Sequence, residues 1–287
     1  MEKKVIFITG SSDGIGRETA RTLSRQGHTL LIHGRDERKT RAVYEELVAE
    51  AGKDRVEMFV ADLLSLAEVK RLAETIKQRH ERLDVLINNA GAQFTETRAT
   101  TPEGHEKTMA INVLAPFLLT TLLLEVLKKS PSARVVTVSS AAHAMGGKPD
   151  YADIELARSY SRSRAYGLSK LYVLWVMRRF AAEAKQAGIG NVTFNSVHPG
   201  SAATSLGREA VKSLKWRIIY LLWKPMMLSL AKAARSSVHA AVSPELEGIS
   251  GKYFGPKGEE KPSEKYYSAE NAQLVWDYCK RATEQYL

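Results

Sequence analysis

The chain has 287 residues and a mass of 31.8 kDa, and its 44% hydrophobic and 26% charged residues are typical of a globular protein with a sizeable core. Its formal charge of +10 and pI near 9.5 are compatible with an anionic partner, although a basic, solvated surface is the simpler explanation. A single cysteine, Cys279, excludes an internal disulfide framework and a thiolate-based zinc site.

Short β-branched runs alternate with helix-length segments along the chain. The predicted strands are 3–8, 29–33, 56–61, 83–88, 133–139, 191–197 and 251–255. The predicted helices, with apolar positions three and four residues apart, are 14–26, 36–51, 65–80, 103–128 and 165–187. The strands are almost entirely apolar, as strands covered on both faces are. This order predicts one α/β domain over residues 1–287, a doubly wound parallel sheet of about seven strands with helices on both faces.

Two stretches interrupt this alternation, residues 145–165 and residues 205–230. The second contains an apolar segment, 211–228, in which Lys and Arg side chains are interleaved with Trp, Ile, Leu and Met. Three interpretations stay open for it. It is a substrate lid over about 205–230, a basic amphipathic segment on an anionic membrane, or a helix pair packed on the core or on another subunit.

The first predicted strand is followed at once by TGSSDGIG, residues 9–16. This loop lies at the carboxyl edge of the sheet, where open α/β folds bind ligands. Glycines there permit a tight turn and a close approach of the backbone to a ligand, while the N–H groups at the helix start face an anion. The stretch therefore predicts a binding site for a pyrophosphate group.

The spacing Gly10-x-x-x-Gly14-x-Gly16 resembles the TGxxxGIG motif of the short-chain dehydrogenases/reductases. Further motifs of that family follow in chain order: NNAG at 88–91, an asparagine at 112, VTVSS at 136–140, YGLSK at 166–170 and HPG at 198–200. The resemblance covers roughly residues 3–255, and SSAAH and PELEGISGKYF resemble the retinol-dehydrogenase-like branch. It implies a Rossmann-type domain and an oxidoreductase that transfers a hydride between a nicotinamide cofactor and a carbonyl or alcohol.

A phenol and an ammonium one helical turn apart form the centre of the predicted chemistry. A tyrosine with a pKa of about 10 is a poor base at neutral pH, and the charge of Lys170, four residues after Tyr166, favours the phenolate. Tyr166 is therefore the predicted acid/base, and Lys170 is the residue predicted to lower its pKa. The resemblance implies that Lys170 also binds the nicotinamide ribose. Ser140 is predicted to polarise the substrate oxygen, and Asn112 resembles the family residue that holds a water for proton relay.

Other residues compete for these roles. Tyr160, with an arginine four residues later, is the alternative tyrosine, but it lacks the matched strand-end context. Ser139 and Ser140 point to opposite faces of their strand, and the family alignment favours Ser140. His143 and His198 lie near the predicted site, but no carboxylate stands at ligand spacing from either of them, so no metal site is expected.

The end of the second strand, LLIHGRDERK, bears on the choice of cofactor. Where an acidic side chain would hydrogen-bond the adenosine ribose, the chain has Gly34, followed by Arg35. A guanidinium matches phosphate geometry, so we expect NADP(H) in preference to NAD(H). Asp36 and Asp13 count against this preference, although Asp36 is also a suitable cap for the next helix.

The remaining cofactor contacts follow from the resemblance and from position. Arg38 and Ser11 are expected to assist Arg35 with the phosphate. Asp62 would accept a hydrogen bond from the adenine amine, or cap the next helix, or do both. The full predicted cofactor-binding set is Gly10, Ser11, Ser12, Gly14, Ile15, Gly16, Arg35, Arg38, Asp62, Leu63, Asn89, Ala90, Gly91, Tyr166, Lys170, Pro199, Gly200 and Thr204.

The substrate and partners are less closely defined. The apolar 211–228 segment and the resemblance imply a lipophilic carbonyl or alcohol that is retinoid-, steroid- or xenobiotic-like. The helices at 103–128 and 165–187 resemble the family's dimerisation surface, which implies a homodimer or homotetramer. Basic residues scattered along helix faces argue against nucleic-acid binding. The alternative function is a non-catalytic NADP(H)-sensing module on the same fold, which would not need the four predicted catalytic residues together.

Targeting segments are not predicted. The N-terminal apolar run of about six residues is too short for the core of a signal peptide. No uncharged apolar stretch reaches the roughly 20 residues of a spanning helix, since the longest run, 113–127, is broken by a proline, two threonines and a glutamate. We therefore expect a cytoplasmic protein without a transmembrane segment, with peripheral membrane contact through 211–228 as an open alternative.

Overall fold

The computed structural model describes residues 2–200 and 228–287, and these form a sheet of eight strands with helices on both faces. The strands are β1 (Val5–Ile8), β2 (Thr29–Gly34), β3 (Val56–Val60), β4 (Val85–Asn88), β5 (Ala133–Val138), β6 (Val192–Val197), β7 (Tyr253–Gly255) and β8 (Gly258–Glu259). They lie in the order β3-β2-β1-β4-β5-β6-β7-β8. All neighbouring strands run parallel except β7 and β8.

This topology confirms the predicted doubly wound α/β fold and corrects the number of strands from about seven to eight. The chain adds strands outward from β1 to β3 and then continues on the other side of β1 with β4. In open parallel sheets the ligand crevice lies at the carboxyl ends of the strands beside such a reversal. The eighth strand pairs Glu259 with Phe254 in a tight antiparallel hairpin, and two residues are too few to show a periodic pattern.

The five predicted helices are present, and each observed end lies within four residues of the predicted one. The helices are α1 (Gly14–Arg25), α2 (Glu37–Ala51), α3 (Leu66–Arg79), α4 (Lys107–Lys128), α5 (Arg162–Gln186), α6 (Leu230–Val242) and α7 (Ala269–Thr283). The sequence pattern predicts neither α6 nor α7. The buried face of α6 consists almost entirely of alanine and serine, and such small residues give a weak hydrophobic period.

Side-chain caps set where several helices begin. Asp36, Ser65, Ser161 and Ser268 each accept a hydrogen bond from the backbone N–H three residues later, at the starts of α2, α3, α5 and α7. Because α5 begins at Arg162, the residues of the YGLSK motif fall in its first three turns. These turns follow β5 and therefore lie near the carboxyl edge of the sheet.

Two apolar layers enclose the sheet. The helices α3, α4, α5 and α7 cover one face, and α1, α2 and α6 cover the other. Successive residues of β1 divide between the two layers, with Phe7 in the first and Ile6 and Ile8 in the second. Burial on both sides explains why the strands are almost continuously apolar.

Among the described residues, α4 is the one helix long and apolar enough to cross a membrane. In the fold, 78% of its most apolar stretch is buried, and its side chains pack on the sheet and on α3 and α5. Length and composition alone are therefore weak support for a membrane span, since the core helix of a globular protein shows the same features.

The C-terminal helix α7 packs across α4 and α5. The Trp276 ring meets Phe117 at 5.0 Å and Phe180 at 4.8 Å between ring centres, nearly perpendicular to both. Phe180 in turn stacks on Phe194 of β6 at 5.4 Å, so aromatic contacts run from α7 to the sheet. The chain itself thus contacts the two helices that the sequence analysis assigned to subunit contacts, and the homo-oligomer stays a prediction.

Replacing Trp276 by alanine should lower the free energy of unfolding by about 3–5 kcal/mol, because a large buried side chain is lost beside Phe117 and Phe180. Leu274→Ala is the matched control on the same helix. Leu274 is 47% exposed, so its replacement should change stability by no more than about 0.5 kcal/mol. Urea denaturation measures both values, and equal losses in the two variants would contradict this packing of α7.

Candidate active site

The glycine loop between β1 and α1 has a backbone that side chains would disrupt. Gly10 has φ +65°, in the left-handed region that favours glycine, and a Cβ there would lie 2.9 Å from the Ala90 Cα. A Cβ on Gly16 would overlap the Gly10 carbonyl oxygen and the Asn89 side-chain amide. Gly14, with φ +57°, begins α1, whose first N–H groups have no partner within the helix. The loop can therefore approach a pyrophosphate with its backbone.

Thr9 and Asn89 lock this loop to the end of β4. The Thr9 hydroxyl accepts hydrogen bonds from the backbone N–H groups of Asn89 and Ala90, both at 3.0 Å. Asn89 Nδ2 donates to the carbonyl oxygens of Thr9 at 2.8 Å and Gly10 at 3.1 Å. The side-chain donor of Asn89, a predicted cofactor contact, is therefore used to shape the loop.

His33, which the sequence analysis does not single out, joins the glycine loop to β2 and β3. Its Nδ1 accepts the Gly10 N–H at 3.2 Å, and its Nε2 lies 3.1 Å from the Ala61 carbonyl oxygen. Burial lowers the pKa of His33 to about 4, so the ring is neutral and carries its proton on Nε2. The sequence contains one signal that could have indicated this role, since His33 ends an otherwise apolar predicted strand.

Ser11 is fully buried and takes no part in a solvent-facing site. Its hydroxyl lies 3.1 Å from the Ile8 carbonyl oxygen and 3.2 Å from the His33 carbonyl oxygen, both as a donor. It also accepts the His33 N–H at 2.9 Å. This placement corrects the expectation that Ser11 assists Arg35 with a phosphate. The hydroxyl instead fastens the glycine loop to β2.

The carboxyl end of β2, where the adenosine ribose is expected, has no room for a side chain at Gly34. A Cβ there would overlap the Thr40 hydroxyl and would lie 2.7 Å from the Ser12 hydroxyl. The acidic side chain that would select an unphosphorylated ribose therefore does not fit at this position without displacing its neighbours.

The charged residues after β2 and before α1 divide into helix caps and exposed cations. Arg35 and Arg38 are exposed, and neither forms a salt bridge within residues 2–200 and 228–287. Asp36 caps α2 by accepting the Lys39 N–H at 3.0 Å, and this bond lowers the pKa of the Asp36 carboxyl. Asp13 caps α1. The two aspartates that count against a phosphorylated cofactor thus have a role in starting the helices.

Asp62 and Leu63 follow β3 at the same edge of the sheet. The Asp62 carboxylate accepts the Leu64 N–H at 3.0 Å in a local turn. Ser65, and not Asp62, is the N-cap of α3, which corrects one interpretation of Asp62. The Leu63 side chain is buried in the core, so only its backbone is available to a cofactor.

Ser140, Tyr166 and Lys170 come together where β5 ends and α5 begins. Ser140 lies close enough to Tyr166 for its hydroxyl to lower the pKa of the tyrosine. Lys170 Nζ lies 5.8 Å from the centre of the Tyr166 ring and donates to the Val138 carbonyl oxygen at 2.9 Å. Ser139 is buried, and its hydroxyl donates to the Lys170 carbonyl oxygen at 2.8 Å. Of the two serines, Ser140 is therefore the one that meets Tyr166.

Burial dominates the electrostatics of this pair. Desolvation raises the pKa of Tyr166, and the neighbouring Ser140 hydroxyl opposes that rise. Desolvation lowers the pKa of Lys170 to about 8, so the ammonium is still mostly protonated at pH 7. The spacing of the two residues predicts that Lys170 lowers the Tyr166 pKa. In the chain by itself, burial raises that pKa instead.

Asn112 ties α4 to this cluster from a single π-helical turn. Its Nδ2 donates to the Ala92 carbonyl oxygen and the Ser169 hydroxyl, both at 2.9 Å, and its Oδ1 accepts the Ala92 N–H at 3.0 Å. A Cβ on Gly91 would lie 2.8 Å from Asn112 Oδ1 and 3.1 Å from Lys170 Nζ. The Asn112 side chain therefore positions the backbone at 91–92, and the relay water stays a prediction.

The loop after β6 carries Pro199 and Gly200 to the carboxyl edge. His198 Nδ1 accepts the Gly200 N–H at 3.2 Å, and its Nε2 lies 2.9 Å from Glu260 Oε2. This carboxylate corrects the expectation that His198 has no acidic partner, because Glu260 lies 62 residues further along the chain. Thr204 and most of the predicted lid, residues 205–227, lie outside the described residues.

The alternative tyrosine has a different partner. The Tyr160 hydroxyl donates to the Thr95 carbonyl oxygen at 3.1 Å. In the part of the chain that the structure describes, no group of three or more His, Cys, Asp or Glu side chains is arranged to hold a metal ion. Tyr166 is thus the tyrosine that lies near both Ser140 and a buried ammonium.

Known proteins resemble the chain over nearly its whole length. The sequence profile of the family described as short chain dehydrogenase matches residues 4–215. Retinol dehydrogenase 12 of Mus musculus is 36% identical over 275 residues, which cover 96% of this chain and 84% of that protein. Polyprenol dehydrogenase of Mus musculus is 36% identical over 281 residues, which cover 95% and 82%.

Solved structures share the fold. An uncharacterised protein from Mycobacterium paratuberculosis is similar with a TM-score of 0.77 and 29% identity, over 98% of this chain and 93% of that one. A Shigella flexneri protein, assigned as a short chain dehydrogenase and solved in complex with NADP, has a TM-score of 0.70 and 26% identity, over 90% and 98%.

Replacing Lys170 by methionine should stabilise the fold at pH 7. A pKa lowered from 10.5 to about 8 means that the fold disfavours the charged lysine by about 3 kcal/mol. Loss of the hydrogen bond to the Val138 carbonyl offsets about 1 kcal/mol of this gain. Urea denaturation should therefore show a variant more stable by about 2 kcal/mol.

The sign of this effect depends on pH. The penalty is complete below about pH 8 and disappears above pH 10.5, so wild-type stability should rise relative to that of Lys170→Met between these values. Lys129→Met, at an exposed position, is the control and should show no such difference. A wild-type chain that gains nothing over this pH range would refute a buried Lys170 ammonium.

Proposed function

The chain belongs to the short chain dehydrogenase family, and from that premise we propose that it is an NADP(H)-dependent oxidoreductase of lipophilic alcohols and carbonyl compounds. Family membership supports action on alcohol or carbonyl groups in general. The observation that carries the narrower proposal is that Ser140, Tyr166 and the buried ammonium of Lys170 lie together where β5 ends and α5 begins.

Reduction of a carbonyl group requires a hydride on carbon and a proton on oxygen. A bound nicotinamide cofactor supplies or accepts the hydride. Tyr166 gives its hydroxyl proton to the substrate oxygen during reduction and takes that proton from the alcohol during oxidation. Ser140 donates a hydrogen bond to the same oxygen and stabilises the negative charge that develops there.

Lys170 makes the loss of the Tyr166 proton less costly. Its ammonium is buried, and a charge in a poorly solvated place acts more strongly on a neighbour than the same charge in water. Burial keeps the phenol protonated until the substrate oxygen needs the proton, while the ammonium stabilises the phenolate that remains. Ser139 and Asn112 hold the start of α5 in place for this transfer.

The residues at the carboxyl edge fit a phosphorylated dinucleotide. Gly10 and Gly16 leave a backbone cradle that side chains would fill, which suits a pyrophosphate. Gly34 has no room for an acidic side chain, and the exposed Arg35 and Arg38 supply positive charge next to it. The related Shigella flexneri protein was solved with NADP, which supports the same preference here.

An apolar substrate is supported by the loop after Ser140. Met145 is 80% exposed, the most exposed large apolar side chain among residues 2–200 and 228–287. Small-molecule pockets are lined mainly by apolar side chains, and an exposed thioether in the loop that follows Ser140 suits an apolar ligand. Two relatives carry retinol and polyprenol in their names, both of them apolar alcohols. We therefore propose retinoid-, steroid- or xenobiotic-like substrates.

Location and assembly rest on the sequence alone. A cytoplasmic location, peripheral membrane contact through 211–228 and a homo-oligomeric state are proposals of that kind. Helix α7 packs across α4 and α5, so it covers part of the surface that the sequence assigned to a subunit contact.

Tyr166→Phe should lower kcat by roughly 10³-fold, because it removes the proton that is transferred and keeps the ring. NADPH should still bind, since the glycine cradle and Lys170 are kept. The measurement is NADPH absorbance with retinal, a steroid ketone and an isoprenoid aldehyde, together with NADPH binding by fluorescence.

Tyr160→Phe is the matched control, because its hydroxyl bonds to the Thr95 carbonyl and not to Ser140, and it should keep its activity. Equal turnover by the wild type and Tyr166→Phe would contradict the proposed mechanism. NADPH binding without turnover of any compound would support a non-catalytic, cofactor-sensing module.

Arg35→Gln should raise KM for NADPH by about 10- to 100-fold and leave KM for NADH unchanged, because a hydrogen bond to a charged group is worth about 1.5–3 kcal/mol. Arg41→Gln is the control, since Arg41 pairs with Glu37 on α2 at 2.7 Å. Initial rates measured with NADPH and with NADH give both KM values. A wild type that uses NADH as well as NADPH would contradict the preference.

A further inference from the structure

The chain after β7 returns to the active site. Glu259 pairs with Phe254, and the Glu260 N–H donates to the Tyr253 carbonyl oxygen at 2.9 Å, so the hairpin directs the following residues along β7. This part of the chain lies beyond residues 4–215, which the family profile matches.

His143 connects this segment to the backbone of Ser140. Its Nδ1 lies 2.7 Å from the Ser140 carbonyl oxygen, and its Nε2 accepts the backbone N–H of Ser263 at 2.9 Å. A backbone N–H only donates, so Nε2 must carry a lone pair and the ring proton must be on Nδ1. Burial lowers the pKa of His143, in agreement with a neutral ring.

A second histidine is held in a similar way. His198 bonds to Glu260 and to the Gly200 N–H, and its ring stacks on Tyr253 at 5.3 Å. The His143 ring meets Tyr253 edge-on at 5.4 Å. The segment from Glu260 to Ser263 thus fixes two imidazoles that pack on one tyrosine.

We propose that His143 is a positioning residue for Ser140, held in its Nδ1–H form by Ser263 of the C-terminal segment. Ser140 precedes a single 3-10 turn, Ala141–Ala144, which has little stability of its own. A ring that bonds to the Ser140 carbonyl and is anchored at its other nitrogen fixes the backbone of Ser140. Its hydroxyl is thereby kept within reach of Tyr166.

Two variants of His143 separate the two bonds. The side-chain amide of Asn occupies the place of Nδ1 and keeps the donor to Ser140, whereas that of Gln reaches the place of Nε2 and keeps only the acceptor for Ser263. His143→Gln should lower kcat by about 10- to 100-fold, because a small displacement of a reacting group has an effect of that size. His143→Asn should stay within about threefold of wild type.

NADPH binding should be unchanged in both variants and reports that they are folded. His239→Gln is the control, because that ring also packs on β7, edge-on to Phe254 at 6.3 Å, and has no bond to Ser140. Equal rates for the Asn and Gln variants, or a Gln variant as fast as wild type, would overturn the proposal.

A spectroscopic test needs no substrate. In the full-length protein with ¹⁵N-labelled histidine at pH 7, long-range ¹H–¹⁵N correlations should show His143 as a neutral ring protonated on Nδ1, assigned by its absence in His143→Asn. A ring protonated on Nε2, or on both nitrogens, would overturn the proposal.

The proposal rests on the proposed role of Ser140, and the two fail in different ways. If Ser140→Ala and Tyr166→Phe keep full activity, the proposed function is wrong. If both lose activity while His143→Gln keeps it, the function stands and the positioning role is wrong.

Discussion

A cation buried in the interior is the constraint on which the active site depends. Removing the Lys170 ammonium from water is unfavourable, and its pKa of about 8 records that penalty. The fold compensates with the Val138 carbonyl at 2.9 Å and with a glycine at position 91, where a side chain would crowd the ammonium. The ends of β4 and β5 must therefore lie against the first turns of α5. Hydrogen bonds from Ser139 and Asn112 hold them there.

Side-chain hydrogen bonds also hold the backbone at the proposed cofactor site, around the glycine loop. Thr9 and Asn89 join the glycine loop to β4, and His33 joins it to β2 and β3. Each of these side chains is largely occupied by protein partners. The surface at this edge of the sheet is consequently mostly backbone and glycine, which suits an anion, and the exposed Arg35 and Arg38 lie next to it.

Sequence patterns were sufficient to predict the features of this molecule that depend on residues close together in the chain. The period of apolar residues located the five helices before residue 200, and the helical spacing of Tyr166 and Lys170 placed them side by side. The patterns could not reveal partners that only the fold brings together, such as Glu260 for His198 or Ser263 for His143. They also assigned to Ser11 an exposed role that its burial rules out, and to Asp62 a cap that Ser65 supplies. The direction of the Tyr166 pKa depended on desolvation, which a sequence does not show.

This contrast explains why the sequence predicts the proposed chemistry of the chain more fully than its substrate. Cofactor binding and proton transfer depend on short motifs at strand ends, whose geometry follows from a parallel sheet. In the proposed function, the neighbourhood of the substrate is assembled from segments far apart in the chain: the loop that carries Met145, the loop after β6, and the C-terminal segment that reaches His143 and His198. Since these segments contact one another through long-range hydrogen bonds and aromatic packing, a change in any of them moves the others. Substrate preference is then a property of the assembled fold, and no single motif encodes it.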